Sequence, residues 1–142
     1  MKRKKCLAAL TAAGVISAMA LGMAVTSYAA DGWTKTNDHW TYINQGKTHT
    51  GWLQTSEGYY YMDLSTGYMT TGFKQIDGKW YFFRPGGLMA KGWINPEYGK
   101  WYYMLEDGTM VTGWLRIGDD YYFMRGDGSM GTGWREMDGA WY

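Results

Sequence analysis

Aromatic side chains recur along this chain at a fixed spacing, and they are the residues best suited to chemistry. A Gly-aromatic pair opens each of six units, and an aromatic cluster follows seven or eight residues later. The pairs are Gly32-Trp33, Gly51-Trp52, Gly72-Phe73, Gly92-Trp93, Gly113-Trp114 and Gly133-Trp134. The clusters are Trp40-Thr41-Tyr42, Tyr59-Tyr60-Tyr61, Trp80-Tyr81-Phe82, Trp101-Tyr102-Tyr103, Tyr121-Tyr122-Phe123 and Trp141-Tyr142. Aromatic faces are apolar and carry negative quadrupole charge, so these rings can build a core or hold a cation.

The elements that position these rings are predicted to be short β-hairpins. Successive Gly-aromatic pairs lie 19, 21, 20, 21 and 20 residues apart, which indicates a repeat array in which each unit packs only on its neighbours. Asp77-Gly78 and Asp138-Gly139 separate strand-like runs and favour tight turns, because such turns need positive φ. Glu57-Gly58 and Gly118-Asp119 are looser equivalents, and the fourth unit, with one extra residue over 95–99, is predicted to have a longer turn.

A Gly-rich connector follows each hairpin and carries one methionine at a fixed place. These methionines are Met69, Met89, Met110 and Met130, whereas the first unit has His49 at that position and its hairpin turn at residues 36–39. No segment after residue 30 has a sustained 3.6-residue apolar period. The predicted fold is therefore all-β: a solenoid of stacked hairpin repeats of about 20 residues, about six over residues 31–142, with the last one truncated.

Residues 1–30 have the pattern of a helical secretory signal peptide. A basic start at residues 2–5 precedes an uncharged, mostly apolar run that ends in small residues. Cleavage is expected after Ala29 or Ala30, and the alternative is an uncleaved membrane anchor. Cleavage would remove Cys6, the only cysteine, so the exported chain would have neither disulfides nor thiol chemistry and no stable membrane insertion.

The composition of residues 31–142 excludes several classes of function. Ten basic against thirteen acidic residues give a charge near −3, which is not the footprint of a nucleic-acid-binding protein. The segment has 25 aromatic residues but only ten Leu, Ile or Val, so rings and methionines must form the core. His39 and His49 lack a ligand pattern, and the acidic residues stand singly on turns. We therefore expect no catalytic group, no metal site and no cofactor.

One unit carries a resemblance to a known family. Gly92-Trp93, then Gly99-Lys100-Trp101-Tyr102-Tyr103, then Gly108-Thr109-Met110-Val111-Thr112-Gly113-Trp114 resembles the choline-binding (cell-wall-binding) repeats of Gram-positive surface proteins and autolysins. The resemblance covers the whole of residues 31–142. It implies ligand sites at the joints between successive hairpins, each an aromatic cage often completed by a connector methionine.

The resemblance implies one cage at each joint, built from three rings. A cage takes the aromatic of the Gly-aromatic pair, the first ring of the same unit's cluster and the middle ring of the next cluster. The implied cages are Trp33, Trp40 and Tyr60; Trp52, Tyr59 and Tyr81; Phe73, Trp80 and Tyr102; Trp93, Trp101 and Tyr122; and Trp114, Tyr121 and Tyr142. Phe73, Tyr59 and Tyr121 stand where the pattern has Trp, which predicts weaker cages, and the first joint is expected to lack its methionine.

The expected function is non-catalytic attachment to the cell wall by binding choline on teichoic or lipoteichoic acids. The expected partners are choline-bearing wall polymers, and the expected location is secreted and bound to the cell surface. Two alternatives stay open: a glucan-type polysaccharide-binding module that stacks sugar rings on the same aromatics, or the binding part of a truncated wall hydrolase. The second is suggested by the chain's stop at Trp141-Tyr142, inside the last predicted strand.

Overall fold

The chain folds as a series of small, separate β-hairpins. The computed structural model describes residues 30–141, so the signal-peptide prediction, with Ala29, and the cage residue Tyr142 lie outside the described residues. The thirteen strands are β1 (Gly32–Thr36), β2 (His39–Asn44), β3 (Lys47–Thr48), β4 (Gly51–Gln54), β5 (Tyr59–Met62), β6 (Gly72–Ile76), β7 (Lys79–Phe83), β8 (Gly92–Glu97), β9 (Lys100–Met104), β10 (Gly113–Ile117), β11 (Asp120–Met124), β12 (Glu136–Met137) and β13 (Ala140–Trp141). Residues 30–141 contain no helix, and the all-β hairpin prediction is confirmed.

Each hairpin is an antiparallel pair, and six of them follow one another along the chain. Hairpins 1 to 6 are β1–β2, β4–β5, β6–β7, β8–β9, β10–β11 and β12–β13, and β3 adds a third strand to the first. In five of them the Gly of the Gly-aromatic pair opens the first strand. The aromatic beside it pairs across the strands with the last ring of the cluster, as in Trp52↔Tyr61 and Trp93↔Tyr103. Because a lone hairpin is marginal in water, the stability of the array must come from stacking.

The hairpin turns follow from residues that tolerate a left-handed backbone. Asp77 and Gly78 have φ of 49° and 77°, and Asn37 and Asp38 have φ of 48° and 67°. Positive φ at both central positions is what a two-residue hairpin turn needs. The predicted turns at these positions are therefore confirmed.

The fourth hairpin differs from its prediction of a longer turn. Its strands meet at a two-residue turn, Tyr98-Gly99, and the extra residue lies within β8, where the register shifts between Ile94 and Glu97. This bulge contains Pro96, which has no N–H to give to a strand ladder. The strand therefore absorbs the insertion and the turn keeps its usual length.

The connectors link hairpins through methionine backbones. In four connectors the methionine N–H donates to the carbonyl of the first cluster ring one hairpin earlier: Met69 to Trp40, Met89 to Tyr59, Met110 to Trp80 and Met130 to Trp101, at 2.7–2.8 Å. The same methionines form isolated bridges to the last residue of the strand just before them. Each connector thus joins its own hairpin to the preceding one.

Carboxylate-capped turns shape three of these connectors. In the last two, Oδ1 of Asp107 accepts the Thr109 N–H and that of Asp127 accepts the Ser129 N–H, both at 2.9 Å. In the connector after hairpin 2, Oδ1 of Asp63 accepts the N–H groups of Ser65 and Thr66. The Asp-Gly pairs of the connectors are therefore turns, as the sequence favoured.

A fully buried side chain recurs at the same place in four of the hairpins. Met62, Phe83, Met104 and Met124 end the second strands of hairpins 2 to 5 and are the largest fully buried residues. The middle cluster rings Tyr60 and Tyr102 are also buried, whereas the first rings, such as Trp101, lie exposed. The middle ring points to the opposite strand face from the first ring, which lies at the surface beside the joint.

Candidate functional site

The candidate sites are small cavities at the joints between consecutive hairpins, and joint n is here the contact of hairpin n with hairpin n+1. One hairpin supplies two rings to each joint, one from its first strand and one from its cluster. The next hairpin supplies a ring from its cluster, and the connector after that second hairpin supplies the methionine. A strand pair fixes the first two rings on one surface. The methionine backbone bond then holds the connector across the joint.

Joint 1 brings its three predicted rings together. Trp33 lies with its ring centroid 4.9 Å from Tyr60 and 6.5 Å from Trp40, at interplanar angles of 64° and 88°. With Met69 they line a cavity of about 380 Å³. The rings meet at steep angles and form the walls of a box.

The expectation that joint 1 lacks a methionine is wrong. The sequence prediction assigned the methionine to the connector of the same unit, where His49 stands. The structure instead takes it from the connector after the next hairpin, so Met69 lines joint 1 and His49 lies elsewhere. The His49 ring bonds the Trp52 carbonyl at 2.8 Å, and His39 stacks on Tyr68 at 4.1 Å, so both histidines have packing contacts.

Joint 2 repeats this geometry with tyrosine in place of one tryptophan. Trp52 lies 6.4 Å from Tyr59 and 5.0 Å from Tyr81, between ring centroids. These rings and Met89 line a cavity of about 450 Å³, the largest volume among the five described cavities.

Joint 3 is a tighter cavity of about 290 Å³ lined by Phe73, Trp80, Tyr102 and Met110. The Phe73 ring lies 4.9 Å from that of Tyr102 at 62°, close to the 64–73° of the Trp–Tyr pairs at joints 1, 2 and 4. Phenylalanine thus keeps the wall but offers a smaller face than tryptophan.

The remaining predicted cage residues that the structure describes lie at joints 4 and 5. At joint 4, Trp93 lies 6.4 Å from Trp101 and 4.9 Å from Tyr122, between ring centroids. Its methionine is Met130, bonded to the Trp101 carbonyl. At joint 5, Trp114 and Tyr121 line a cavity of about 250 Å³ with Met130, while Tyr142 is outside the described residues.

Residues at the rims of the joints were missed by the sequence prediction. They are the two residues before the connector glycine one hairpin further on: Pro85-Gly86 at joint 1, Glu106-Asp107 at joint 2 and Gly126-Asp127 at joint 3. That glycine itself rests on the joint's methionine. A Cβ at Gly87, Gly108 or Gly128 would collide with Met69, Met89 or Met110, respectively.

The rims give the joints different charges. Joint 1 has an uncharged rim, joint 2 has Lys91 beside two carboxylates, and joint 3 is lined by Glu97 and Asp127. Burial raises the pKa of Tyr102, and the Glu97 carboxylate adds to the shift. Since the Tyr102 phenol titrates above its ordinary value near 10, it stays neutral at physiological pH. Joint 3 thus combines neutral aromatic walls with two carboxylates that attract a cation.

The described residues give little support for other chemistry. No group of three or more His, Cys, Asp or Glu side chains within residues 30–141 is placed to hold a metal ion. That segment also has no helix long and apolar enough to cross a membrane. What the joints offer is aromatic faces, thioether edges and a few rim charges.

Family comparison agrees with this geometry. A family described as the choline-binding repeat matches residues 70–113, and a family described as the cell wall binding repeat matches residues 50–69 and 112–130. Together the matches run without a gap from residue 50 to residue 130, more than half of the chain. The chain belongs to the choline-binding repeat family.

Solved structures of the same kind align with the chain. CbpJ from Streptococcus pneumoniae TIGR4 is 35% identical with a TM-score of 0.73, over 80% of this chain and 42% of that one. Choline-binding protein F from Streptococcus pneumoniae, solved in the presence of a peptidoglycan analogue, is 40% identical with a TM-score of 0.70, over 80% and 38%. A pneumococcal cell wall endolysin from phage Cp-1, complexed with choline, is 34% identical with a TM-score of 0.54, over 62% and 26%.

The chain spans about two fifths of the length of the first two of these relatives. No curated protein sequence matches it. The chain is thus an array of choline-binding repeats with the fold of streptococcal choline-binding proteins.

Proposed function

We propose that this chain is a non-catalytic module that attaches to the cell wall by holding choline groups of wall polymers in its joints. The observation that carries the proposal is the recurrence of one box, three rings and a methionine, at joints 1 to 3, with the same ring arrangement at joint 4. Family membership supports choline as the ligand, and a relative of the chain was solved in complex with choline. The small-residue end of the segment before residue 31 supports export of the protein to the surface.

The chemistry of the box suits a quaternary ammonium. Its methylated nitrogen has no N–H to donate, so it gains little from hydrogen-bond acceptors and much from apolar, electron-rich faces. Each cation–π contact contributes about 0.5–2 kcal/mol, and three around one cation with apolar contact give about 4 kcal/mol, a millimolar affinity. Several linked sites raise the avidity for a polymer by roughly 10²–10⁴.

A choline titration of the purified protein tests this proposal. Indole fluorescence and thermal melting are expected to respond to choline in the millimolar range. Trp101→Ala removes an exposed wall of joint 4 and is expected to weaken that site by about two- to thirtyfold. Tyr98→Ala, which removes a fully exposed ring at a hairpin tip, is the control and should leave binding unchanged.

Two results would count against choline. No response of fluorescence or melting to excess choline rejects the proposal outright. A response to wall oligosaccharides in place of choline would favour the polysaccharide-binding alternative, in which the same rings stack on sugars.

A further inference from the structure

The four connector methionines, Met69, Met89, Met110 and Met130, are packed between hairpins and yet reachable from solvent. Met69, Met89 and Met110 line the cavities of joints 1, 2 and 3, and Met130 lines that of joint 5. Three of the four are partly exposed, and Met89, although only 7% exposed, lines two cavities. A small polar molecule that enters a joint therefore reaches a methionine side chain.

A second set, here called the strand-end methionines, gives a contrast within the same chain. Met62, Met104 and Met124 end the second strands of their hairpins and are 0%, 1% and 0% exposed. They line none of the five described cavities. The connectors thus present methionine to solvent, whereas the strand ends withhold the same residue type from it.

Three of the connector sulfur atoms lie directly against the main chain of the following connector. A Cβ added at the facing glycine would collide with Sδ in each case: Met69 with Gly87, Met89 with Gly108 and Met110 with Gly128. The space on that side of the sulfur is therefore already filled. An oxygen atom bonded to the sulfur must either displace the connector or project into the cavity of the joint, because packed interiors leave few voids.

The other surroundings of these side chains are apolar. Met89 belongs to a buried cluster with Tyr61, Ile76 and Phe83, and Met69 and Met110 pack against the corresponding clusters on either side. A sulfoxide is polar, so its burial in such a cluster without a hydrogen-bond donor is unfavourable. Since the same residues join each connector to the preceding hairpin through their N–H groups, the effect falls on the contact between hairpins.

We propose that the connector methionines are modification sites for peroxides, and that their oxidation to the sulfoxide loosens the stack of hairpins. Cys6 is the only cysteine, so sulfur oxidation within residues 31–142 falls on methionine. With hydrogen peroxide, the thioether sulfur attacks one oxygen, and the S–O bond forms as the O–O bond breaks. The proton on the transferred oxygen leaves with the other oxygen as water. Sulfur is oxidised to the sulfoxide, and the peroxide is reduced.

The modification and its effect on stacking depend on the packing of the joints alone. The effect on attachment rests on the proposed function, because the oxidised side chain is also a wall of the box. Peroxide is therefore expected to release the array from a surface that it holds through its joints. Because methionine sulfoxide can be reduced enzymatically, the release is reversible.

Oxidation rates at individual methionines of the folded chain test the first part of the inference. Samples treated with hydrogen peroxide are stopped with catalase and digested, and the gain of oxygen in each peptide is followed by mass spectrometry. The three partly exposed connector methionines are expected to react about tenfold faster than the strand-end methionines, or more, with Met89 in between. In urea the rates should converge. Equal rates in the folded chain overturn the inference.

Thermal melting of the oxidised chain tests the second part. Once the connector methionines are oxidised and the strand-end methionines are not, the melting temperature is expected to fall by about 5–10 °C. Methionine sulfoxide reductases for both epimers, with dithiothreitol as the reductant, should restore it and so assign the loss to methionine. An unchanged melting temperature overturns the inference, and so does a loss that the reductases leave in place.

Leucine variants separate the two sets of methionines, because leucine has a similar volume and no sulfur. The melting temperature of Met69→Leu/Met89→Leu/Met110→Leu/Met130→Leu should no longer respond to peroxide. The matched control is Met62→Leu/Met104→Leu/Met124→Leu, which should respond as the wild type does. A full response of the first variant contradicts the inference. If either variant does not fold, the rates and the reductase treatment of the wild-type chain decide.

Retention on a choline-substituted surface, before oxidation, after it and after reduction, tests the release. Retention is expected to fall on oxidation and to return on reduction. Equal retention before and after oxidation overturns the release step. A wild-type chain that does not bind choline before any oxidation rejects the proposed function instead, and the rates and melting temperatures still test the modification.

Discussion

The carboxylates of Asp107 and Asp127 do two things at once: they cap a connector turn and they face a cavity. Hydrogen bonds from the side chain and backbone of Thr109 hold the pKa of Asp107 below its ordinary value. Ser129 lowers the pKa of Asp127 in the same way. A carboxyl whose pKa is lower in the folded chain stabilises the fold above the unfolded value of about 4 and loses that effect as pH falls through the folded value.

The melting temperature of the wild-type protein is therefore expected to fall steeply below about pH 4. The double variant Asp107→Asn/Asp127→Asn should melt lower at pH 7 and have a flatter acid limb, measured by circular dichroism from pH 7 to 2. Asp119→Asn, an exposed turn residue 3.6 Å from Arg116, is the control. Parallel curves for the double variant and the wild type would contradict this role of the two turns.

Residue types predicted the walls of the boxes but not their rims. The aromatic positions follow from the period and the resemblance, because a cage uses rings of one unit and its neighbour. The rim comes from one connector further on, and only the rise and twist of the array place Asp107 beside Trp52. A single sequence does not contain those two quantities. The expectation that joint 1 lacks a methionine was wrong for the same reason.

At the scale of elements, the connectors hold the joints together by stacking glycine on methionine. Gly108 has φ of 84°, and a Cβ there would collide with the side chain of Met89. Gly113 has nearly the same φ, 81°, yet a Cβ there meets nothing within 4 Å. Gly113 is therefore required only for its positive φ, whereas Gly108 is required both for its positive φ and for its contact with Met89.

Gly113→Ala is expected to cost about 1–2 kcal/mol for its left-handed backbone alone. Gly108→Ala should cost a further 1–3 kcal/mol, roughly, because Met89 must move, and it should weaken choline at joint 2. Urea unfolding gives the two free energies, and the NMR signal of the Trp52 indole N–H gives the binding at joint 2. Equal losses of stability in both variants would show that the methionine contact has little effect.

The elements themselves were largely predictable. The Asp-Gly and Asn-Asp pairs predict tight turns with positive φ, and the positions of these turns gave the ends of the strands. The bulge around Pro96 was not predictable, because an extra residue fits either a turn or a strand. The third strand, β3, was also missed, since two residues carry no pattern.

At the scale of the whole molecule, the proposed attachment to the wall depends on several weak sites in one chain. Single joints are expected to bind choline only weakly, so attachment to a polymer depends on how many joints engage together. Trp80→Ala should leave the choline affinity of the other joints unchanged. It should lower retention on a densely choline-substituted surface by about tenfold or more.

Surface plasmon resonance at graded choline density measures this loss. On a sparse surface, where only one joint engages at a time, the variant and the wild type should converge. Tyr98→Ala again serves as the control for loss of an exposed ring. A loss that does not vary with density would mean that the joints bind independently of one another.

The rim of each joint comes from a connector further along the chain, so gain or loss of a unit changes which rim lies beside which rings. Recombination that removes one period of about 20 residues would keep every turn and strand in register. It would also bring an old pair of aromatic walls under a new set of charges, for instance the walls of joint 1 under Glu-Asp in place of Pro-Gly. Gain or loss of whole units would therefore alter ionic preference without a single point mutation.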